Sequence, residues 1–211
     1  YLQDLRTNHF SEMRDRRLDL VTGETIRRDF NLLSAALNTA VREWGWLKEN
    51  PLSKVRRPPP GKERDTRILP EQEEKLLFVC GYNRDYPCET VGQRVAAAFR
   101  FAIETAMRAG EICSLDGLQV DLQRRVARLE KTKNGDVRDV PLSLEAIHIL
   151  KQLQPWEPTG KVFRLTSSQL DANYRKHRER AALGDIHFHD TRHEAITRLA
   201  KKLKVLELAR M

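Results

Sequence analysis

The sequence predicts a mainly α protein with one small antiparallel β-sheet, an α+β chain in two parts. Three observations carry that expectation. Apolar residues recur at helical spacing through most of the 211 residues. Only residues 118–129 and 137–142 read as strand, and the break between them holds Asn134-Gly135, the strongest short-range hairpin signal. Residues 50–67 read NPLSKVRRPPPGKERDTR, where three consecutive prolines cannot continue a helix and favour extended chain.

The elements follow in order. Residues 1–19 are charged, with weak helical periodicity around Leu5, Phe10 and Met13. Residues 25–46 give the cleanest helix: Ile26, Phe30, Leu33, Leu37, Ala40, Val41 and Trp44 form a stripe, Thr25 is placed to cap it and Gly45 to end it. Arg27, Arg28 and Arg42 sit off that stripe. These residues make a first helical unit, 1–49. The segment 50–68 is a basic, semi-rigid linker carrying Lys54, Arg56 and Arg57. A second unit, 69–211, opens with Pro70 and the acid-rich turn Glu71, Glu73, Glu74. It continues as a helix over 94–107, the hairpin, and helices over 144–153, 168–182 and beyond Asp190.

Composition narrows the partners. Lys and Arg number 38 against 30 Asp and Glu, a net charge of +8. That excess suits a polyanion, because each phosphate neutralised releases condensed counterions. An ordinary basic surface is the plain alternative. No apolar run approaches the ~20 residues of a membrane span, and no signal-peptide pattern stands at the start. Cys80, Cys88 and Cys113 show no metal-ligand spacing and read as free thiols of a reducing cytoplasm. The chain opens on Tyr1 and closes on Met211 inside the apolar-periodic stretch of Leu203, Leu206 and Leu208, so a fragment is expected.

Three distant segments hold the residues suited to chemistry. In AIETAMRAGEICSL, Arg108 ends an apolar helix beside Gly110 and Glu111, where its guanidinium is free to face a groove or to pair with Glu111 on the surface. In EKTKNGDVRDVPL, Lys131 and Lys133 come just before the hairpin tip, where a lysine reaches into a groove and transfers a proton, or merely keeps a sheet edge soluble. In HFHDTRHEAI, Thr191 and Glu194 form a capping-box pattern that starts a helix, and a helix N-terminus attracts anions. His189 and Arg192, three apart, share one face there. His187, His189 and His193 also raise a metal reading, but no Glu follows His189 as in a metalloprotease motif and no carboxylate or Cys cluster completes a ligand set.

Taken in order, Arg-x-Gly-Glu, then Thr-Lys-Asn-Gly before Val-Pro-Leu, then His-x-x-Arg-His resembles the tyrosine site-specific recombinase (phage integrase) family. The resemblance covers nearly the whole chain. Thr-Lys-Asn-Gly and His-Phe-His-Asp-Thr-Arg-His-Glu-Ala are similar to the shufflon-type DNA invertase branch. It implies that residues 1–49 are the C-terminal part of a helical core-binding domain and 69–211 a catalytic domain. It also implies cleavage and rejoining of double-stranded DNA through a 3′-phosphotyrosyl bond, with no cofactor, no metal and no small-molecule substrate. Arg108 and Arg192 would bind the non-bridging oxygens, Lys133 (with Lys131 in reserve) would protonate the leaving 5′-oxygen, His189 would assist proton transfer, and Glu111 would orient the site. Arg27, Arg28, Arg42, Lys54, Arg56 and Arg57 would bind DNA. The partners implied are DNA recombination sites and a tetramer on DNA, with no membrane, in the cytoplasm at the nucleoid.

The chain departs from the family in two respects. The first helices of the core-binding domain are expected to be missing from it, which leaves the DNA clamp incomplete, and the nucleophile is the second. Tyr1, Tyr82, Tyr86 and Tyr174 do not match the family's nucleophile position, so no nucleophile is assigned. It is expected downstream of Met211, after the family's His or Trp. A non-cleaving DNA-binding regulator or architectural protein of the same fold is the alternative, and a helical protein with a merely solvated basic surface the third reading.

Overall fold

The stripe on the longest helix organises the first part of the chain. The computed structural model describes residues 1–61, 66–129 and 137–201. It divides into two units, Tyr1–Arg64 and Asp65–Met211. In the first, Thr7–Leu18 (α1) packs on Gly23–Arg42 (α2), and Phe10, Ile26, Phe30 and Leu37 fill their shared core. The cap of α2 is Thr22 and not Thr25: its hydroxyl accepts the Thr25 N–H at 3.4 Å. The helix ends at Arg42, and Gly45, at φ +64°, lets the Trp46 N–H fold back onto the Ala40 carbonyl at 2.9 Å. That early ending turns Trp44 out. It is 52% exposed and packs against Trp46 at a tilt of 41°, with ring centroids 4.4 Å apart.

Part of the segment read as linker belongs to this core. Leu52 and Val55 are buried against the α2 stripe. Asn50 ties the segment down: its Nδ2 donates to Asn38 Oδ1 at 2.8 Å, and its Oδ1 accepts the Leu52 N–H at 2.9 Å. Burial of the apolar positions of a Pro-rich stretch is what composition alone leaves unseen.

In the second unit, Pro70–Val79 (α3) leads to Val91–Thr105 (α4), capped by Thr90 with Gln93 reaching back. The centre of the unit is α4. Val95 to Phe99, Phe101, Ala102 and Ile103 are all buried, and the four alanines among them let neighbouring helices approach closely. A short helix, Ala109–Ser114 (α5), precedes the sheet of Val120–Asp121 (β1), Val126–Leu129 (β2) and Arg138–Pro141 (β3). Its order is β1-β2-β3, both pairs antiparallel, with Leu129 opposite Arg138. The single strand expected over 118–129 is two strands: Gly117–Gln119 forms a 3-10 turn capped by Asp116, and residues 122–125 turn the chain back so that β1 and β2 pair with each other. Asn134-Gly135 lie outside the described residues.

Leu144–Gln152 (α6), Ser167–Arg180 (α7) and Asp190–Ala200 (α8) close around α4. The expected capping box at α8 does not form. His189 is the cap residue, the Thr191 hydroxyl donates to the Phe188 carbonyl at 2.6 Å, and Glu194 turns inward. Glu194 accepts from Arg67 Nε at 2.7 Å, the Ile68 N–H at 3.3 Å and Arg198 Nε at 2.8 Å. The ladder continues with alternating sign through Arg198–Glu73 (3.3 Å), Glu73–Arg100 (3.5 Å) and Arg100–Glu145 (2.9 Å) to Arg84. It stitches α8, α3, α4 and α6 into one frame. Among the described residues no helix is long and apolar enough to cross a membrane.

Candidate functional site

The site begins where α4 stops. Ala106 adopts a left-handed conformation at φ 54°, ending the helix, and Met107 anchors the turn at 1% exposure. Arg108 is thereby delivered to the cap position of α5. Glu111, one turn on, reaches back to the Arg108 N–H at 2.8 Å and accepts from its Nη1 at 2.9 Å. The guanidinium is therefore oriented at its base, while the side chain stays 38% exposed. Arg192, in the first turn of α8, donates to the carbonyl of Ala106. Two arginines from distant parts of the sequence thus meet around one backbone turn.

A third guanidinium joins them. Arg138, the first residue of β3, donates to Glu111 Oε2 at 2.8 Å and is only 17% exposed. Sequence reasoning missed it. The signal was the strand alternation, which puts Arg138 on the same face as the buried Val140; an arginine at an inward position is worth asking about. Burial first, and then the charges of Arg108 and Arg138, push the Arg192 pKa down, with Glu111 acting in the opposite direction. Three cations around one carboxylate leave an excess of positive charge that an anion would neutralise.

His189 flanks this cluster. Its segment is pinned by Phe188, which packs against Phe99 and Tyr174 at 6.3 and 5.5 Å between centroids, while the Tyr174 hydroxyl donates to the Ile186 carbonyl at 3.2 Å. The ring is exposed and stands edge-to-face with His193, centroids 5.5 Å apart. Partial burial, then His193, Arg192 and Arg108, lower the His189 pKa against the pull of Asp190. At neutral pH the imidazole is therefore uncharged and able to accept a proton. It lines a cleft of about 370 Å³ together with Ala109, Tyr174, Arg178 and Phe188. Tyr174 is buried and its pKa is raised, burial being the main cause, so its hydroxyl serves the core.

Lys133 and Lys131 lie outside the described residues. The six basic residues expected on DNA divide by their partners. Arg27 Nη1 donates to the Pro58 carbonyl at 2.9 Å, and Arg57 donates to Asn31 Oδ1, both holding residues 57–58 on α2. Lys54 pairs with Glu49 at 3.0 Å. Arg28 is 78% exposed, 3.9 Å from Glu24, and Arg42 and Arg56 are also exposed. Among the described residues no group of three or more His, Cys, Asp or Glu is placed to hold a metal ion. The three cysteines are buried and free.

Residues 66–206 match the family model described as "Phage integrase family". A "Putative integrase/recombinase" of Haemophilus influenzae is 38% identical over 212 residues, covering 100% of this chain and 69% of the relative. A "Shufflon-specific DNA recombinase" of Escherichia coli is 40% identical over 191 residues, 90% of this chain but 47% of its own length, so the chain spans about half of that relative. Among solved structures, lambda integrase residues 75–356, a dimer bound to a COC' core site, superposes with a TM-score of 0.76 at 18% identity, covering 98% of this chain and 78% of that one. A lambda integrase tetramer bound to a Holliday junction superposes with a TM-score of 0.73 at 17% identity, covering 99% and 63%. These structures share the mainly helical fold with its small antiparallel sheet.

Proposed function

This chain belongs to the phage integrase family, and from that membership we propose a site-specific DNA recombinase of the integrase or invertase type, acting through a 3′-phosphotyrosyl intermediate. The observation that carries the reading is the meeting of Arg108 and Arg192 beside His189. A guanidinium is planar, permanently charged and matched to phosphate oxygens in pairs. Two of them would bind the non-bridging oxygens of the scissile phosphate and stabilise the charge that grows there as the phosphorus becomes pentavalent, typically the largest catalytic contribution. The hydroxyl oxygen of the unassigned nucleophilic tyrosine attacks phosphorus and gives up its proton to His189, directly or through water; the bond to the 5′-oxygen breaks, and that oxygen takes a proton from Lys133, with Lys131 the reserve donor. His189, neutral at pH 7, assists proton transfer. Glu111 fixes Arg108. The second strand's 5′-hydroxyl then reverses the steps.

The remaining expectations are part of the same proposal. The first unit is the C-terminal part of a core-binding domain, residues 50–68 lie along the phosphate backbone, and residues 69–211 form the catalytic domain. Arg28, Arg42 and Arg56, exposed like Lys54 and Arg57 but with side chains that have no close hydrogen-bond partner among the described residues, contact DNA directly. The working form is a tetramer on two duplex sites, a reading supported by the lambda integrase tetramer on its junction. The protein acts in the cytoplasm at the nucleoid.

The test is a nicked suicide substrate carrying the candidate site, incubated with the longest natural form of the protein. A protein–DNA band that survives SDS and disappears in Arg108→Ala and Arg192→Ala is the expected result. Tight, salt-sensitive binding without such a band would replace this reading with a non-cleaving DNA-binding protein.

A further inference from the structure

Arg138 is held in place against the ordinary rules of burial. Its side chain is only 17% exposed. Its Nε is buried with no hydrogen-bond partner among the described residues, an arrangement that costs stability rather than adding it. It also stands close enough to Arg192 to act on that residue's charge, as Arg108 does. A fold gains nothing from crowding three guanidinium groups unless the crowd serves something else. What Arg138 does contact is specific. Its Nη2 meets Glu111 Oε2 at 2.8 Å, the same oxygen that accepts the Arg108 N–H at 2.8 Å, while Glu111 Oε1 takes Arg108 Nη1 at 2.9 Å.

The consequences are geometric. Glu111 sits on the six-residue helix α5, and both bonds that Arg108 gives its carboxylate come from the cap of that same short helix. Arg138 comes from the sheet, which Leu142 and Val140 root in the core at 5% and 0% exposure. By adding a donor to Oε2 from a different element, it ties the carboxylate, and with it the Arg108 guanidinium bonded to Oε1, to the sheet as well as to α5. We infer that Arg138 is a positioning residue of the site: it holds the Glu111 carboxylate, and through it the Arg108 guanidinium, in the orientation that receives the scissile phosphate. This rests on the recombinase reading above and adds a residue to it. Arg138 also occupies the strand end opposite Leu129, so the pair Leu129 and Arg138 bounds the stretch of sequence in which Lys133 lies.

The test uses the full-length protein on suicide substrates with either an ordinary scissile phosphate or a methylphosphonate, which lacks one non-bridging charge. Arg138→Gln should slow covalent adduct formation on the phosphate by about 10- to 100-fold, the usual effect of losing a group that orients a direct ligand. It should leave DNA affinity within about twofold. The deficit should vanish on the methylphosphonate, as that of Arg108→Ala should. The double variant should be no slower than Arg108→Ala alone, because the two act as one unit. Arg138→Lys, which keeps a charged donor for Glu111, should recover most of the rate and guards against a folding defect in the glutamine variant. Losses that multiply in the double variant, a deficit that persists on the methylphosphonate, or a wild-type rate in Arg138→Gln would overturn the inference alone. No covalent adduct from the wild type would overturn the recombinase reading and this inference with it.

Discussion

Two carboxylates in the second unit have nearly the same surroundings and opposite uses. Glu111 accepts from two arginines and one backbone N–H, and so does Glu194. Both are shielded, at 10% and 4% side-chain exposure. The difference lies in what surrounds the arginines. Those of Glu194 lead into a ladder that alternates in sign through Glu73, Arg100, Glu145 and Arg84. Each charge there has its counterion, and the ladder is scaffold. Those of Glu111 stand beside a further cation, Arg192. There the positive charge accumulates, and a guanidinium remains partly open to solvent. Counting ion pairs would not separate the two; the sign of the next neighbour does.

Substitutions should pull the two regions apart. The largest effect belongs to the site: Arg108→Ala and Arg192→Ala should each lower the cleavage rate by about 10²- to 10³-fold, the usual loss for one donor to a developing oxyanion. The check is quantitation of covalent adduct, and melting should change little. Arg198→Ala should do the reverse, lowering the melting temperature while the rate per folded molecule holds. An equal loss of rate in Arg198→Ala would erase the distinction.

Next in size is Glu194→Gln. Burial alone would raise the Glu194 pKa, but Arg67, Arg198 and the Ile68 N–H outweigh it and hold the carboxyl at about 2 against an ordinary 4.5. That difference corresponds to roughly 3.5 kcal/mol at ~1.4 kcal/mol per pH decade. Urea unfolding at pH 7 should show a loss of that order, and a smaller one for Glu111→Gln, whose penalty should fall on activity. The pH dependence follows from the sign of the shift. A carboxyl lowered in the folded state contributes its full stabilisation above its unfolded value, near 4.5, and loses it as pH falls toward 2. Acid unfolding should steepen through that window, and Glu194→Gln should flatten it.

The smallest effects compare two neighbouring arginines of α2. Arg28→Ala should reduce the slope of log affinity for duplex DNA against log salt by about one, with stability unchanged. Arg27→Ala loses its bond to the Pro58 carbonyl and should cost the first unit about 1 kcal/mol. Equal salt slopes in both variants would mean that partner bonds do not decide which arginines face DNA.

Much of this was readable from the chain. The helices were visible because one apolar face per helix imposes a period on the sequence, as at Ile26, Phe30 and Leu37. Arg108, Glu111, His189 and Arg192 were legible only through the family resemblance of three distant segments taken in order, since each segment alone also fits an ordinary surface. The capping box at Thr191 and Glu194 was a false local signal. Its spacing is right, but Arg67, from far away in sequence, offers Glu194 a stronger partner than a backbone N–H. The stripe ran on to Trp44 in the sequence and stopped at Arg42 in the structure, where the chain turns back around Gly45.

By itself the sequence determined the fold class and the order of the elements, since period and turn chemistry are local properties, and it singled out Arg108, Glu111, His189 and Arg192 through the family resemblance that three distant segments carry together. The tertiary structure alone decided that Arg138 completes the hold on Glu111, that Glu194 is a scaffold charge, and that residues 50–58 pack on the first helical pair. Each of these depends on which partner is nearest in space, and a charge or an apolar side chain takes its role from that neighbour.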